Sequence, residues 1–200
     1  THEIKSPISA IRGAAEILET EGLPQAQRER FLGNVRHETE RIQALVDSML
    51  ELSELESRRA LPELKRVALA PILRKALDDH AAQVTHKQLR CDLTVKDAAL
   101  EVHGDAVLLH LALSNLIKNA IEFSPVQASL KVSCDCTPAH ACVTIEDEGP
   151  GIPEFARERV FERFYSLARP DTGKKSTGLG LNLVREIALL HAGHVALQNR

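Results

Sequence analysis

The chain has no tryptophan, one tyrosine and five phenylalanines among its 200 residues. So few rings leave no stacking platform for single-stranded nucleic acid. Net charge is also scarce: 25 basic residues against 28 acidic ones give a formal −3. A nucleic-acid partner, which usually shows as a strongly basic domain, is therefore not expected. The four cysteines, at 91, 134, 136 and 142, are too few for a disulfide scaffold. Cys134 and Cys136 share one face of an expected strand, where a soft metal is conceivable. Free, half-buried thiols in a reducing compartment fit the spacing better. No uninterrupted apolar run reaches the roughly 18 residues of a membrane span. No secretory signal opens the chain. What remains is globular composition, 44% hydrophobic and 26% charged, sufficient for one or two domains with real cores.

The first 60 residues read as two helices. Ile4, Ile8, Ile11, Ala15 and Leu18 form an apolar stripe over 2–19, with Pro7 inside the opening turns. Glu21-Gly22-Leu23-Pro24 breaks the pattern. Over 25–57, Leu32, Val35, Thr39, Ile42, Val46, Met49 and Leu52 recur at near-heptad steps. Two helices cannot bury such a seam alone, so two chains forming a four-helix bundle are expected. Packing against the rest of the same chain is the alternative.

Residues 57–62, charged and closed by Pro62, read as a linker. Beyond it an α+β pattern follows. A helix is expected over 71–86, a strand over 89–95, and a helix capped by Asp105 and reaching about Phe123. Alternation predicts strands at 130–136 and 141–146, joined by a hairpin turn at 137–140. A short helix is expected at 153–160 and a mobile polar loop at 166–177. Gly178 then opens a helix through His191, and a last strand occupies 194–198.

Several clusters carry chemistry. Asn115 and Asn119 lie at i and i+4, so their amides leave one helical stripe. They are either solvent-facing or suited to Mg²⁺ and phosphate. Asp147 continues the core parity of Val143 and Ile145, where a carboxylate needs a donor such as an adenine amino group. A tight turn with an Asp cap is the plainer reading. Gly178-Leu179-Gly180-Leu181 at a helix start allows close approach of phosphate, or simply punctuates a loop. Phe161-Glu162-Arg163-Phe164-Tyr165 is either a clamp for the following loop or ordinary core.

Taken in order, His2-Glu3-Ile4-Lys5-Ser6-Pro7, Asn115-Leu116-Ile117-Lys118-Asn119-Ala120, Asp147-Glu148-Gly149-Pro150-Gly151-Ile152, Phe161-Glu162-Arg163-Phe164-Tyr165 and Gly178-Leu179-Gly180-Leu181 resemble the five boxes of two-component sensor histidine kinases. The resemblance covers nearly the whole chain. Residues 6–18 and 161–167 further resemble the CreC-type members of that family.

The resemblance implies a helical-hairpin dimerisation and phosphotransfer domain over 1–60, a four-helix bundle as a dimer. It implies an α+β two-layer sandwich that binds ATP over 61–200, with its C-terminal strand cut short. It implies autophosphorylation of His2 with Glu3 taking the imidazole proton, and transfer to an aspartate of a response-regulator receiver domain. Ser6 would stand where the family orients a water for phosphatase action. Asn115 and Asn119 would hold Mg²⁺. These two, Asp147, Gly149, Gly151, Phe164, Lys174, Lys175, Gly178, Leu179 and Gly180 would contact the nucleotide. The implied whole is a homodimer, and this chain the cytoplasmic part of a bacterial inner-membrane sensor, joined to the membrane only through other segments.

Three positions depart from the family pattern. Ser166 stands where an arginine often reaches the terminal phosphate; Arg163, Arg169, Lys174 or Lys175 could supply that charge. Glu122, three residues past Asn119, would either help hold Mg²⁺ or repel phosphate. Ser6 replaces the usual Thr or Asn. Two other functions compete: an ATPase of the same superfamily, and a non-catalytic dimeric phosphotransfer or scaffold module. Hydrolytic relatives of the gyrase kind place a glutamate four residues before the metal asparagine, and here that place holds Asn115.

Overall fold

The computed structural model describes residues 2–57, 64–137, 140–171, 173 and 175–199, with side chains from residue 4 onward. They divide into two compact units, Thr1–Glu54 and Leu55–Arg200. The expected linker falls mostly outside the described residues.

The first unit is a helical hairpin. α1 (His2–Leu18) contains Pro7, which cannot donate to the carbonyl of residue 3. Pro7 and Ala14 are buried, and Ile4, Ile11 and Leu18 are half-buried. The inward positions thus run 4, 7, 11, 14, 18, alternating steps of three and four. Ile8, placed on the inward stripe by periodicity alone, is instead 51% exposed. Gly22, with φ +79°, turns the chain, and α2 (Gln25–Ser57) follows with the bounds its periodicity predicts. Leu45 and Leu52 are buried on α2, whereas Leu32, Val46 and Met49 keep 53%, 44% and 40% of their surface exposed. Much of the predicted seam is therefore uncovered in a single chain.

The second unit opens with β1 (Lys65–Ala68), which pairs antiparallel with β3 (Glu101–Gly104). The expected 71–86 helix is two helices, α3 (Leu69–Asp78) and α4 (Ala81–His86). The break at 79–80 has a visible cause in packing. His80 Nε2 bonds Ser114 Oγ at 2.8 Å, and Asp79 Oδ2 lies 2.8 Å from His110 Nε2, so both residues turn toward the Ala106–Phe123 helix. β2 (Arg90–Val95) pairs parallel with β4 (Ser129–Cys136), which pairs antiparallel with β5 (Ala141–Glu146). Thr137 and His140 close the hairpin, the Thr137 amide donating to the His140 carbonyl at 2.8 Å.

α5 (Ala106–Phe123) starts where Asp105 predicts, the carboxylate accepting from the Val107 and Leu108 amides. By length and composition α5 is apolar enough to cross a membrane, which no uninterrupted run suggests. Here it is the central core helix: Leu113, Ile117, Ala120 and Ile121 pack with Leu69, Ile72 and Leu73 of α3 and with Leu130, Val132 and Cys134 of β4. Burying each such side chain contributes about 1.5–3 kcal/mol. Cys134 belongs to this core, and burial pushes its thiol pKa up. Among the described residues the cysteines are free, and no cluster of three His, Cys, Asp or Glu side chains fits a metal.

α6 (Gly180–Leu190) begins two residues later than expected, because Gly178 is spent in the turn before it. The short helix expected at 153–160 shrinks to a 3₁₀ turn at Glu154–Ala156, followed by further turns. No strand forms at 194–198. Instead the Asn199 side chain donates to the Ile152 carbonyl and accepts from the Ile152 amide, both at 2.8 Å, supplying locally what a neighbouring strand would supply. His191 fastens α6 to the start of α5. Its Nε2 accepts from the Asp105 amide at 3.0 Å while Nδ1 lies 2.7 Å from the Ile187 carbonyl, partners that the neutral Nδ1–H tautomer satisfies.

Candidate functional site

α5 presents Leu116, Asn119, Ala120 and Phe123 to a cavity of about 170 Å³. β5 ends there with Ile145 and Asp147, and Gly151 and Ile152 follow. Val160, Tyr165 and Ser166 come from the next segment, and Gly178, Gly180 and Leu181 from the start of α6. Four of the stretches singled out by sequence thus converge on one hollow, mostly apolar, with a few polar groups.

The expected site residues divide. Asn119, Asp147, Gly151, Gly178 and Gly180 line the cavity. Gly149 lies beneath it: its amide donates to Asp147 Oδ1 at 2.8 Å, and a Cβ there would meet that oxygen at 2.6 Å. Asn115 is not at the wall. Its Nδ2 donates to the Leu111 carbonyl at 2.9 Å, and its Oδ1 faces Gly180, whose Cβ would lie 2.9 Å away. Phe164 and Leu179 are not at the wall either. Leu179 is buried in the core, and Phe164 acts through its backbone, at φ +64°. Lys175 is exposed and forms an isolated β-bridge with Ala168. Ser6 is exposed on α1, one helical turn past position 2. Lys174 and the side chains of His2 and Glu3 lie outside the described residues.

Two expectations need correction. Asp147 is exposed at the cavity mouth, not held on the core side of the sheet, because β5 stops at Glu146 and the chain turns. The carboxylate caps that turn by accepting from the Gly149 amide with Oδ1, and the residue lines the cavity. Glu122 does not stand bare. Arg169 clasps it, Nη2 to Oε1 at 2.7 Å and Nε to Oε2 at 3.0 Å. Described residues of the 166–177 stretch make further contacts, with Asp171 paired to Lys87 and the Ser166 hydroxyl donating to the Ser176 carbonyl at 3.2 Å.

Sequence reasoning missed several contributors. Leu197 lines the cavity. Buried Asn182 donates to the Phe161 carbonyl at 2.9 Å, tying α6 to the Phe161–Tyr165 stretch. Lys87 donates to the Glu122 and Ser124 carbonyls. Each acts across more than 20 residues of chain, where local pattern carries no signal.

The family model for the His Kinase A (phospho-acceptor) domain matches residues 1–58. The model described as histidine kinase-, DNA gyrase B- and HSP90-like ATPase matches 104–200. A solved mycobacterial sensor histidine kinase, MprB, is 30% identical, with 80% of its chain and 64% of this one covered at a TM-score of 0.55. The chain belongs to the sensor histidine kinase family. Sensor protein CreC of Escherichia coli (strain K12) is 41% identical over 199 residues, covering all of this chain and 41% of that protein. Histidine kinase ThkA, solved in complex with response regulator protein TrrA, shares the fold at a TM-score of 0.81 and 24% identity, covering all of this chain and 55% of that one. The chain spans about two fifths of the length of several curated relatives it matches.

Proposed function

We propose that this chain is the cytoplasmic catalytic core of a membrane-linked sensor kinase, that it phosphorylates itself on His2 from ATP, and that it passes the phosphoryl group to a response-regulator aspartate. One observation carries the reading: Asn119, Asp147, Gly178 and Gly180, from separated stretches, line one cavity, in a chain whose first unit matches the phospho-acceptor domain.

The cavity residues suit an adenine nucleotide. Asp147 Oδ2 can accept from the exocyclic amino group while Oδ1 keeps the Gly149 turn in place. The apolar walls from Leu116, Ile145, Ile152 and Leu181 take the flat base. Gly180, packed on Asn115 Oδ1 with no room for a Cβ, lets a phosphate chain approach the start of α6. Asn119 presents a hard amide oxygen of the kind Mg²⁺ accepts. Asn115 would have to give up the Leu111 carbonyl to join it. Bound there, Mg²⁺ would neutralise phosphate charge.

The transfer itself asks for positioning more than covalent machinery. A neutral imidazole has a lone pair available near pH 7. His2 attacks the terminal phosphorus, a nitrogen–phosphorus bond forms, the bond to the bridging oxygen breaks, and ADP departs. Glu3 takes the proton that the imidazole sheds. His2 and the cavity belong to different units, so transfer brings the two together. The exposed α2 seam fits a second copy of this chain, giving the dimeric bundle. The domain roles divide near residue 60. Ser6, a turn from His2, bears on any phosphatase step, in which a water takes the phosphoryl group and inorganic phosphate leaves.

The ATPase alternative is disfavoured at Asn115. Its amide is already bonded to a backbone carbonyl, and no carboxylate stands there to activate water. The test is incubation with γ-labelled ATP. Wild-type protein should acquire a label that is lost in acid and survives base, and His2→Gln should bind nucleotide yet stay unlabelled. Equal labelling of the variant refutes the acceptor assignment.

A further inference from the structure

Glu122 lies on α5 three residues past Asn119, so its carboxylate leaves the helix on the same side as the amide that lines the cavity. A bare carboxylate beside a polyphosphate would repel it. Arg169 masks that charge through two N–H···O bonds, with the two side chains only 27% and 16% exposed. A guanidinium makes the same two-pronged contact with phosphate as with carboxylate. The backbone around Arg169 has its own anchors. Asp171 pairs with Lys87, which also holds the Glu122 and Ser124 carbonyls, and Ser166 lines the cavity three residues earlier. The guanidinium can thus turn without the segment leaving.

We propose that Arg169 is the exchangeable cation of the nucleotide site, shared in competition between Glu122 and the terminal phosphate. This rests on the nucleotide reading of the cavity and assigns the basic charge that Ser166 does not supply. Glu122 becomes a positioning residue: it parks the guanidinium on α5, one helical turn from Asn119, and sets how strongly an added phosphate is felt.

Competition makes a signed prediction. Titration calorimetry of the full chain with ATP, ADP and adenosine measures the ratio of ATP to ADP affinity. Arg169→Ala should lower that ratio about tenfold, the scale of one lost charge-assisted contact. Glu122→Gln should raise it by a similar factor, because the guanidinium loses its competitor. Arg169→Lys, which keeps the charge but not the fork, should fall between wild type and Arg169→Ala, which guards against an alanine variant that fails to fold. Adenosine affinity should stay within about twofold throughout. A purely structural ion pair, loosened from either side, would move the ratio the same way in both variants. Same-direction shifts, or none beyond twofold, overturn the proposal. Wild-type protein that binds no adenine nucleotide overturns the cavity reading beneath it.

Discussion

Gly178 crosses directly over Phe164. The Phe164 amide donates to the Gly178 carbonyl at 2.9 Å, and a Cβ on Gly178 would sit 2.5 Å from the Phe164 carbonyl carbon. Both residues have positive φ, +64° at Phe164 and +69° at Gly178. This crossing joins the aromatic stretch to the start of α6, and both strands of it reach the cavity through Tyr165 and Gly178.

Gly178→Ala should therefore be severe. It adds a left-handed backbone cost of about 1–2 kcal/mol to an overpacking cost of about 1–3 kcal/mol. Gly173→Ala is the matched control, with φ +64° but open space around its Cβ, and should lose only the first amount. Urea unfolding of both separates them. Equal losses would show that the crossing is not tight.

At Asp147 the two oxygens separate structure from recognition. Asp147→Asn keeps an acceptor for the Gly149 amide, so its unfolding midpoint should hold near wild type. Its affinity for ATP should fall about tenfold or more, since an uncharged amide replaces the carboxylate proposed to accept from the base. Asp147→Ala should lose about 1 kcal/mol of stability as well. Calorimetry and urea melts on the pair decide it; unchanged affinity in both would remove Asp147 from the site.

What the sequence made legible were features written within one element. α2 ends where its periodicity ends, Asp105 caps α5, and alternation marks β4 and β5. β1 and β3 are four residues each, too short for alternation to show, and exist because they pair with one another. The split between α3 and α4 is set by His80 reaching Ser114, 34 residues away. Around the cavity, the boxes picked out Asn119, Asp147, Gly151, Gly178 and Gly180, which line it, because residue type and spacing single them out. The partner of Glu122 was illegible, since nothing local distinguishes Arg169 from the other cations nearby. The surroundings of Asn115 were not legible, because helical spacing fixes a stripe and not that its Nδ2 bonds the Leu111 carbonyl while its Oδ1 faces Gly180.

Acid should relieve a local strain on α2. Burial first, then the charges of Asp47 and Glu54, raise the Glu51 pKa above its ordinary value. The folded state then binds this proton more readily than the unfolded one, so ionised Glu51 costs stability near neutral pH. That cost fades as pH falls through the raised folded value and is gone below about 4, where the unfolded carboxyl is protonated too. Glu51→Gln should stabilise the protein at pH 7, and the gain should shrink toward pH 4. Urea midpoints at the two pH values measure this; a gain that is absent at pH 7, or larger at pH 4, contradicts it.

The uncovered seam on α2 makes a claim about assembly. Leu32, Val46 and Met49 are exposed in one chain at heptad-related positions, and each apolar side chain covered by a second copy contributes up to about 1.5–3 kcal/mol. A charge there should be expensive, because the dimer would have to bury it unpaired. Val46→Glu should convert a dimer to a monomer in light scattering at micromolar concentration. Gln43→Glu, exposed but off the seam, should leave the mass unchanged. Helix propensity differs little among these residues, so circular dichroism should stay near wild type in both. A dimer indifferent to Glu at position 46 would place the dimer contact elsewhere, and a wild-type monomer at tens of micromolar would leave the exposed stripe without that role.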